Sequence, residues 1–146
     1  MPNIVQTAKG KSITKSRESI CKLKPKRRKL SWHKKRAWDE FSKFIRLSYA
    51  DSNGIVQCIT CNTKRHYKDS MEAGHFISGR KNSILFHEQC VHPQCHGCND
   101  KRYGNGRPIQ YFEFMKNRYG MAVIEHLYEL ANMTIQYKAH DYDEFY

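Results

Sequence analysis

Two Cys-x-x-Cys pairs constrain this chain more than any other feature of its sequence. Cys58 and Cys61 form the first pair, Cys95 and Cys98 form the second, and 33 residues lie between the pairs. This spacing is typical of metal ligands, and four thiolates at about 2.3 Å make a closed tetrahedral zinc site. We therefore predict one structural zinc ion held by the four cysteines. The alternative ligand set has His92 or His96 in place of one cysteine.

The length of the chain limits how large a core it can build. With 146 residues it is about one domain, and a chain of this size buries only about two-thirds of its unfolded surface. No stretch approaches the roughly 20 apolar residues of a membrane span, and the first residues lack the apolar run of a secretory signal. We expect a cytoplasmic protein with reduced thiols. Cys21 and Cys90 lie outside the pairs and are interpreted as an incidental thiol and a buried small residue.

The positive charge is concentrated at the start of the chain. Residues 1–36 carry 13 lysines and arginines against one acid, whereas residues 37–146 carry 13 of each sign, so the net charge of +12 resides in the first segment. Such blocks often bind polyanions. We predict a basic arm without fixed structure over residues 1–30 that binds nucleic acid; the alternative is a solvated tail. The predicted DNA contacts near the arm are Lys26, Arg27, Arg28, Lys29, Lys34 and Lys35.

The rest of the chain, residues 31–146, is predicted to form a single α+β domain. Ser31 is a plausible N-cap for a helix that continues to about Ala50. Short strands are expected between Ile55 and Phe76, strand or extended chain at 84–86, and a short strand at 134–138. Further helices are predicted from Cys95 to about Tyr103, from Pro108 to about Arg118, and from Met121 to Ala131. The zinc-bound core would span about 55–104, followed by C-terminal helices at about 107–132.

His75 is the candidate for chemistry between the cysteine pairs. It follows Gly74, where the absence of a side chain allows close approach, and it precedes a loop with the cations Arg80 and Lys81 that suits phosphates. A neutral imidazole can take a proton from water at physiological pH. The alternative is a buried, hydrogen-bonded histidine without a catalytic role.

Several short motifs in this order carry a family resemblance. Cys-x-x-Cys is followed by Ala-Gly-His-Phe and then by Phe-His-Glu-Gln-Cys-Val-His-Pro-Gln-Cys-His-Gly-Cys-Asn. From about Trp38 to Ala131 the sequence resembles the NinG (Rap) phage recombination proteins, members of the HNH, or ββα-metal, nucleases. The resemblance implies a zinc-stapled ββα-metal core with flanking helices. It also implies an endonuclease that hydrolyses phosphodiester bonds in branched recombination intermediates such as Holliday junctions, D-loops and flaps.

The resemblance also implies roles for individual residues. His75 would activate water, Asn99 would bind a catalytic Mg²⁺ or Mn²⁺ ion, and His92 would bind metal or phosphate. Two positions depart from the HNH pattern: Gly74 stands where most HNH sites have a metal ligand, and Cys90 stands where an Asn supports the base. Glu72 or Asp100 would have to supply the missing carboxylate.

The sequence features fit more than one class of function. The first is a metal-dependent endonuclease acting on branched or duplex DNA, with Arg80 and Lys81 among its DNA contacts. The second is a non-catalytic, zinc-stabilised DNA-binding accessory factor for recombination, which the departures at Gly74 and Cys90 favour. An RNA-binding or RNA-cleaving module is a third reading. Paired cuts at a junction would suit a homodimer, but no sequence feature fixes the stoichiometry.

Overall fold

The computed structural model describes residues 28–145, and it has the predicted mixed α+β architecture. Lys26 and Arg27, like most of the predicted arm, lie outside the described residues. None of the helices within 28–145 combines the length and apolar character needed to cross a membrane.

The first helix, α1, spans Leu30–Ser48 and begins one residue before the predicted cap. Lys29 occupies the N-cap position without a side-chain hydrogen bond, so the prediction of Ser31 as N-cap is wrong. Phe41 and Ile45 are buried at helical spacing, together with Ala37, as the 3.6-residue period requires. Their side chains pack onto the sheet and hold α1 against the centre of the molecule.

Four short strands form two separate antiparallel pairs. Strands β1 (Ile55–Gln57) and β2 (Lys64–His66) pair around the first cysteines. Strands β3 (Met71–His75) and β4 (Val91–Cys95) pair with Glu72 opposite Gln94 and Gly74 opposite His92. Directly opposed residues in such a ladder project to the same face. Because successive side chains of a strand alternate between faces, His75, which is opposite Val91, lies on the other face of this pair.

The helices after β3 match the prediction only in part. Residues predicted as strand or extended chain form a one-turn helix, α2 (Asn82–Leu85), followed by a 3₁₀ turn at Glu88–Cys90. Helix α3 covers only His96–Asn99, because Asp100 already has an extended backbone; the predicted continuation to Tyr103 is wrong. Helices α4 (Pro108–Tyr119) and α5 (Met121–Asn132) match the prediction closely. Residues 134–138 form no strand.

The acidic aromatic end of the chain belongs to the core. Residues Asp141–Phe145 form a 3₁₀ turn in which Tyr142 is buried. The Phe145 ring stacks on Phe86 with centroids 4.2 Å apart, and Tyr142 meets Phe86 edge-on at 6.1 Å. Aromatic pairs at such separations add to the hydrophobic gain of burial. The turn therefore packs on Phe86, the residue that follows the short helix α2.

Candidate functional site

The four predicted zinc ligands converge on one point. Their sulfur atoms all lie within 4.8 Å of one another, and the sulfurs of Cys61 and Cys95 are 3.6 Å apart. Tetrahedral coordination at about 2.3 Å requires sulfur–sulfur separations of about 3.8 Å. The cluster could therefore hold a zinc ion with four thiolate ligands. His92 contacts two tyrosine hydroxyls and His96 contacts the Glu72 carboxylate. The alternative ligand set is therefore not supported.

Backbone and threonine donors surround the sulfurs. Burial alone would raise the pKa of the Cys61 thiol, but the hydroxyl and backbone amide of Thr63, with the neighbouring thiols, bring it down to about 6. The Thr60 hydroxyl lies 3.3 Å from the Cys58 sulfur. Asn62 adopts a left-handed conformation, with φ of 62°, and its N–H donates to the Cys58 carbonyl. This tight turn points donors at sulfur, as a thiolate site needs.

A cleft of about 890 Å³ lies beside the cysteine cluster. Its walls come from α1, β3, the 76–80 loop, α3 and the residues that lead into α4. Three predicted site residues line it together: Glu72, His75 and Asn99. The charged side chains of its lining are three cations and one carboxylate, namely Arg46, Arg80, Lys101 and Glu72. The cleft is therefore electrostatically suited to an anion.

The His75 ring is fixed in orientation by two contacts. It stacks on Trp38 with centroids 4.9 Å apart and planes 19° from parallel. Its Nε2 atom lies 3.2 Å from the backbone carbonyl oxygen of Leu85. A carbonyl oxygen only accepts, so Nε2 carries the proton and Nδ1 is left as the acceptor. This is the tautomer that a general base needs.

The environment keeps this imidazole neutral. Burial lowers the pKa of His75 to about 4, with the Leu85 carbonyl opposing the shift and the positive charge of Arg80 adding to it. The Arg80 guanidinium lies 4.5 Å from the centroid of the Trp38 ring. Arg80, Trp38 and His75 thus form a layered stack at the cleft. At neutral pH the ring is available to accept a proton.

Glu72 and Asn99 form the second polar element of the cleft. The Asn99 amide nitrogen donates to one Glu72 carboxylate oxygen at 2.6 Å, and the other oxygen lies 2.7 Å from Nδ1 of His96. Because the amide nitrogen of Asn99 is committed to Glu72, its Oδ1 faces Gly74. Carboxylate and amide oxygens are hard ligands suited to Mg²⁺ or Mn²⁺. Asp100 is instead paired with Arg102 at 3.1 Å and does not line the cleft.

The structure gives a steric reason for Gly74. A Cβ at this position would lie 2.1 Å from Oε1 of Gln94 and 2.9 Å from Oδ1 of Asn99. Gln94 is fully buried and fixed, because its amide nitrogen donates to the Gly106 carbonyl and the Thr60 hydroxyl. Its Oε1 has no hydrogen-bond partner among the described residues. The amide of Gln94 therefore fills the space that a side chain at 74 would need.

His92 does not enter the cleft. It is fully buried, its Nδ1 lies 3.0 Å from the Tyr111 hydroxyl, and its Nε2 lies 3.0 Å from the Tyr119 hydroxyl. The Tyr111 hydroxyl donates to the Gly74 carbonyl at 2.8 Å, so it must accept from Nδ1–H of His92. Nε2 is then the acceptor from Tyr119. Burial lowers the pKa of His92 to about 3, in keeping with a neutral ring that supports β3 from behind.

Cys90 also lies in the core, close to the backbone of the base. Burial raises the pKa of its thiol, and the amides of Ile77 and Phe76 oppose that shift. The Cys90 carbonyl accepts the N–H of Phe76 at 2.8 Å. The chain next to His75 is thus held by backbone hydrogen bonds where the resemblance would have placed an Asn side chain.

The predicted DNA contacts fall into two groups: cations that are exposed or line the cleft, and lysines that contact other parts of the protein. Arg80 lines the cleft, and Arg28 and Lys29 are exposed ahead of α1. Lys81 donates to the Ala131 carbonyl at the end of α5, at 2.8 Å. Lys34 donates to Asn82 and Lys35 pairs with Asp39, so these three lysines make contacts within the protein.

Sequence reasoning missed several residues that line or support the cleft. Trp38 is the stacking partner of His75, but nothing in the sequence separates it from the core residues of α1. Arg46, whose guanidinium donates to the carbonyls of Tyr67 and Met71, belongs to no motif that would single it out. Lys101 could have been found from its place two residues after Asn99. The Leu85 carbonyl has no signature, since any residue supplies one.

Fold and site together define a small α+β protein with a four-cysteine cluster that could hold zinc, next to a basic cleft with a neutral histidine. The model of the family described as Bacteriophage Lambda NinG protein matches residues 4–145. The chain therefore belongs to the NinG family of phage proteins. No curated protein and no solved structure matches it.

Zinc binding should depend on the cluster cysteines and not on cysteine in general. Elemental analysis of the purified protein should find about one zinc ion per chain. Cys95→Ala should lose most of that zinc and lower the unfolding temperature, because metal binding contributes folding free energy. Cys90→Ala, which also removes a buried thiol, should keep its zinc. Equal zinc contents in the two variants would contradict the assignment.

Gly74 should tolerate no side chain. Gly74→Ala is expected to cost about 1–3 kcal/mol in the free energy of unfolding, because the new methyl group overlaps the buried amide of Gln94. Gly97→Ala is the matched control, since no neighbouring atom lies within 4 Å of a Cβ there. Urea unfolding of both variants measures the difference. A Gly74→Ala protein as stable as Gly97→Ala would show that Gln94 moves aside freely.

Proposed function

We propose that this protein is a metal-dependent DNA endonuclease of the HNH type. The observation that carries the proposal is the His75 imidazole, held in one tautomer by the Leu85 carbonyl, in a cleft that also contains Glu72 and Asn99. Hydrolysis of a phosphodiester requires a base for water and stabilisation of charge on the phosphate. The cleft offers groups suited to both.

His75 would act as the general base. Its Nδ1 accepts a proton from a water molecule while Nε2–H remains bonded to the Leu85 carbonyl, which stabilises the cationic ring that results. The stack on Trp38 restricts the ring to one plane. The base therefore needs little reorganisation before reaction, and a neutral imidazole is its resting form.

Glu72 and Asn99 would hold the divalent ion. The Glu72 carboxylate and the Asn99 Oδ1 provide oxygen ligands, and Mg²⁺ ordinarily completes its shell with waters and phosphate oxygens. When bound, such an ion supplies Lewis-acid stabilisation of the phosphate and of the leaving 3′ oxygen. His96 orients Glu72 through its 2.7 Å contact. Gln94 excludes a side chain at 74, so the ligands on this wall come from positions 72 and 99.

The cations of the cleft would bind the DNA backbone. Arg46, Arg80 and Lys101 outnumber the single carboxylate of the lining, and cationic side chains of this kind contact phosphates in most DNA complexes. The basic segment before α1 would add sequence-independent attraction. Branched recombination intermediates are the proposed substrates, in keeping with the resemblance of the sequence motifs to phage recombination proteins.

Removing the imidazole tests the proposal most directly. His75→Ala should lower the rate of cutting of a four-way junction or flapped duplex, with Mg²⁺ or Mn²⁺ present, by at least about 10²-fold. DNA affinity and zinc content should remain within about twofold of wild type. His126→Ala, which removes an exposed histidine of α5, is the control and should cut normally. Undiminished cutting by His75→Ala, or a zinc-loaded wild type that cuts no DNA, would overturn the proposal.

The pH dependence should reflect the lowered pKa of His75. A base with a pKa of about 4 is deprotonated throughout pH 6 to 8, so kcat/KM should show no inflection near the ordinary histidine value of about 6.5. Trp38→Leu exposes the ring and should raise its pKa, which moves the loss of activity on acidification into this range. NMR titration of the His75 ring measures the pKa independently. A wild-type pKa near 6.5 would contradict the described burial.

A further inference from the structure

The loop between α3 and α4, residues 100–107, carries exposed groups that the proposed hydrolysis does not use. Tyr103 is 71% exposed, more than any other large hydrophobic side chain of residues 28–145. Lys101 and Asn105, two positions before and after it, line the cleft. Tyr103 thus lies between two residues that line the cleft, four positions after the candidate metal ligand Asn99.

This loop is fixed in place despite its exposure. Three successive amides, those of Tyr103, Gly104 and Asn105, donate to the single carbonyl of Asp100. The N–H of Gly106 donates to the carbonyl of Cys98 at 2.8 Å. A Cβ on Gly104 would lie 2.4 Å from that same Cys98 carbonyl, which shows how closely the loop packs on the cysteine cluster. The Tyr103 ring is presented from a rigid support.

The surroundings of the ring are cationic. Lys101, Arg102 and Arg107 occupy the loop against one acid, Asp100, which binds Arg102. The Arg102 guanidinium lies 5.6 Å from the Tyr103 centroid, and His96 meets the ring edge-on at 6.3 Å. An exposed aromatic ring among cations matches a nucleotide, in which an aromatic base adjoins a phosphate. An apolar protein partner would leave those cations without complementary groups.

We propose that Tyr103 stacks on an unpaired DNA base beside the phosphate held in the cleft. The inference rests on the proposed nuclease function and names the side chain that would recognise its substrate, at a base free of its duplex stack, as at a branch point or flap. Within a continuous duplex both faces of each base are covered by neighbours, so the ring gains little there. Lys101 and Arg107 would contact the phosphates on either side of the stacked nucleotide.

Binding measurements in a cutting-deficient background test this assignment. With His75→Ala as the parent, Tyr103→Leu should weaken binding to a flapped duplex by about 5- to 100-fold, the range expected for loss of one base–aromatic stack. Binding to the continuous duplex should change by less than about twofold. Tyr103→Phe should keep the affinity for flapped DNA, because it keeps the ring. Phe44→Leu, at an exposed aromatic outside the cleft, is the matched control.

A second measurement links the ring to one nucleotide. Replacing the first unpaired base of the flap by an abasic site should weaken binding of the parent, but should have little further effect on Tyr103→Leu, because both changes remove the same contact. Independent, additive losses would overturn the stacking assignment, as would equal losses on flapped and continuous DNA. Either result leaves the nuclease proposal standing. If the parent protein binds no DNA, both the nuclease proposal and the stacking assignment are overturned.

Discussion

The convergence of four cysteine sulfurs on one point is the constraint on which the rest of this structure depends. The sulfurs of Cys58, Cys61, Cys95 and Cys98 come from the turn between β1 and β2, the end of β4 and the helix α3. Thiolates this close repel each other unless a cation lies among them. A zinc ion at this point would tie the three elements together, in addition to the small buried cluster that Val56 and Met71 form with Cys58 and Cys98. Asn99 follows the last of these cysteines in the chain, so the cysteine cluster fixes its position.

The cleft wall is built from interactions that support one another across β3. On one side, the hydrogen-bond chain from Tyr119 through His92 and Tyr111 ends on the carbonyl of Gly74. Gln94, opposite Glu72 on β4, occupies the space beside the Gly74 Cα. The buried tyrosine hydroxyls and the His92 ring are favourable because each donor in the hydrogen-bond chain meets an acceptor, whereas Oε1 of Gln94 has no partner among the described residues. His75, the next residue, is thus attached to a strand that has little freedom to shift.

The sequence predicted the residues whose type and spacing indicate their chemistry. It did not predict the roles that depend on tertiary contacts. The cysteine spacing predicted the cluster, and the Ala-Gly-His motif together with Cys-Asn led to His75 and Asn99. The family resemblance suggested a catalytic role for His92, but a histidine motif does not distinguish a ring in the cleft from one between two tyrosines. Trp38 lies on the apolar stripe of α1, and only the packing of α1 on β3 reveals its stack with His75. The long helix predicted from Cys95 ended early because three amides turn back to the Asp100 carbonyl.

The aromatic turn at Asp141–Phe145 has a consequence for how genetic changes in this protein are interpreted. Phe145 and Tyr142 pack on Phe86. Phe86 follows Leu85, whose carbonyl accepts the hydrogen bond from Nε2–H of His75. A substitution in the turn would let this segment relax and change the direction of that acceptor without touching the cleft. Under the proposed function, such a variant would resemble a substitution of His75, although the changed residue lies outside the cleft. Two substitutions that lie far apart in the sequence can therefore affect the same histidine.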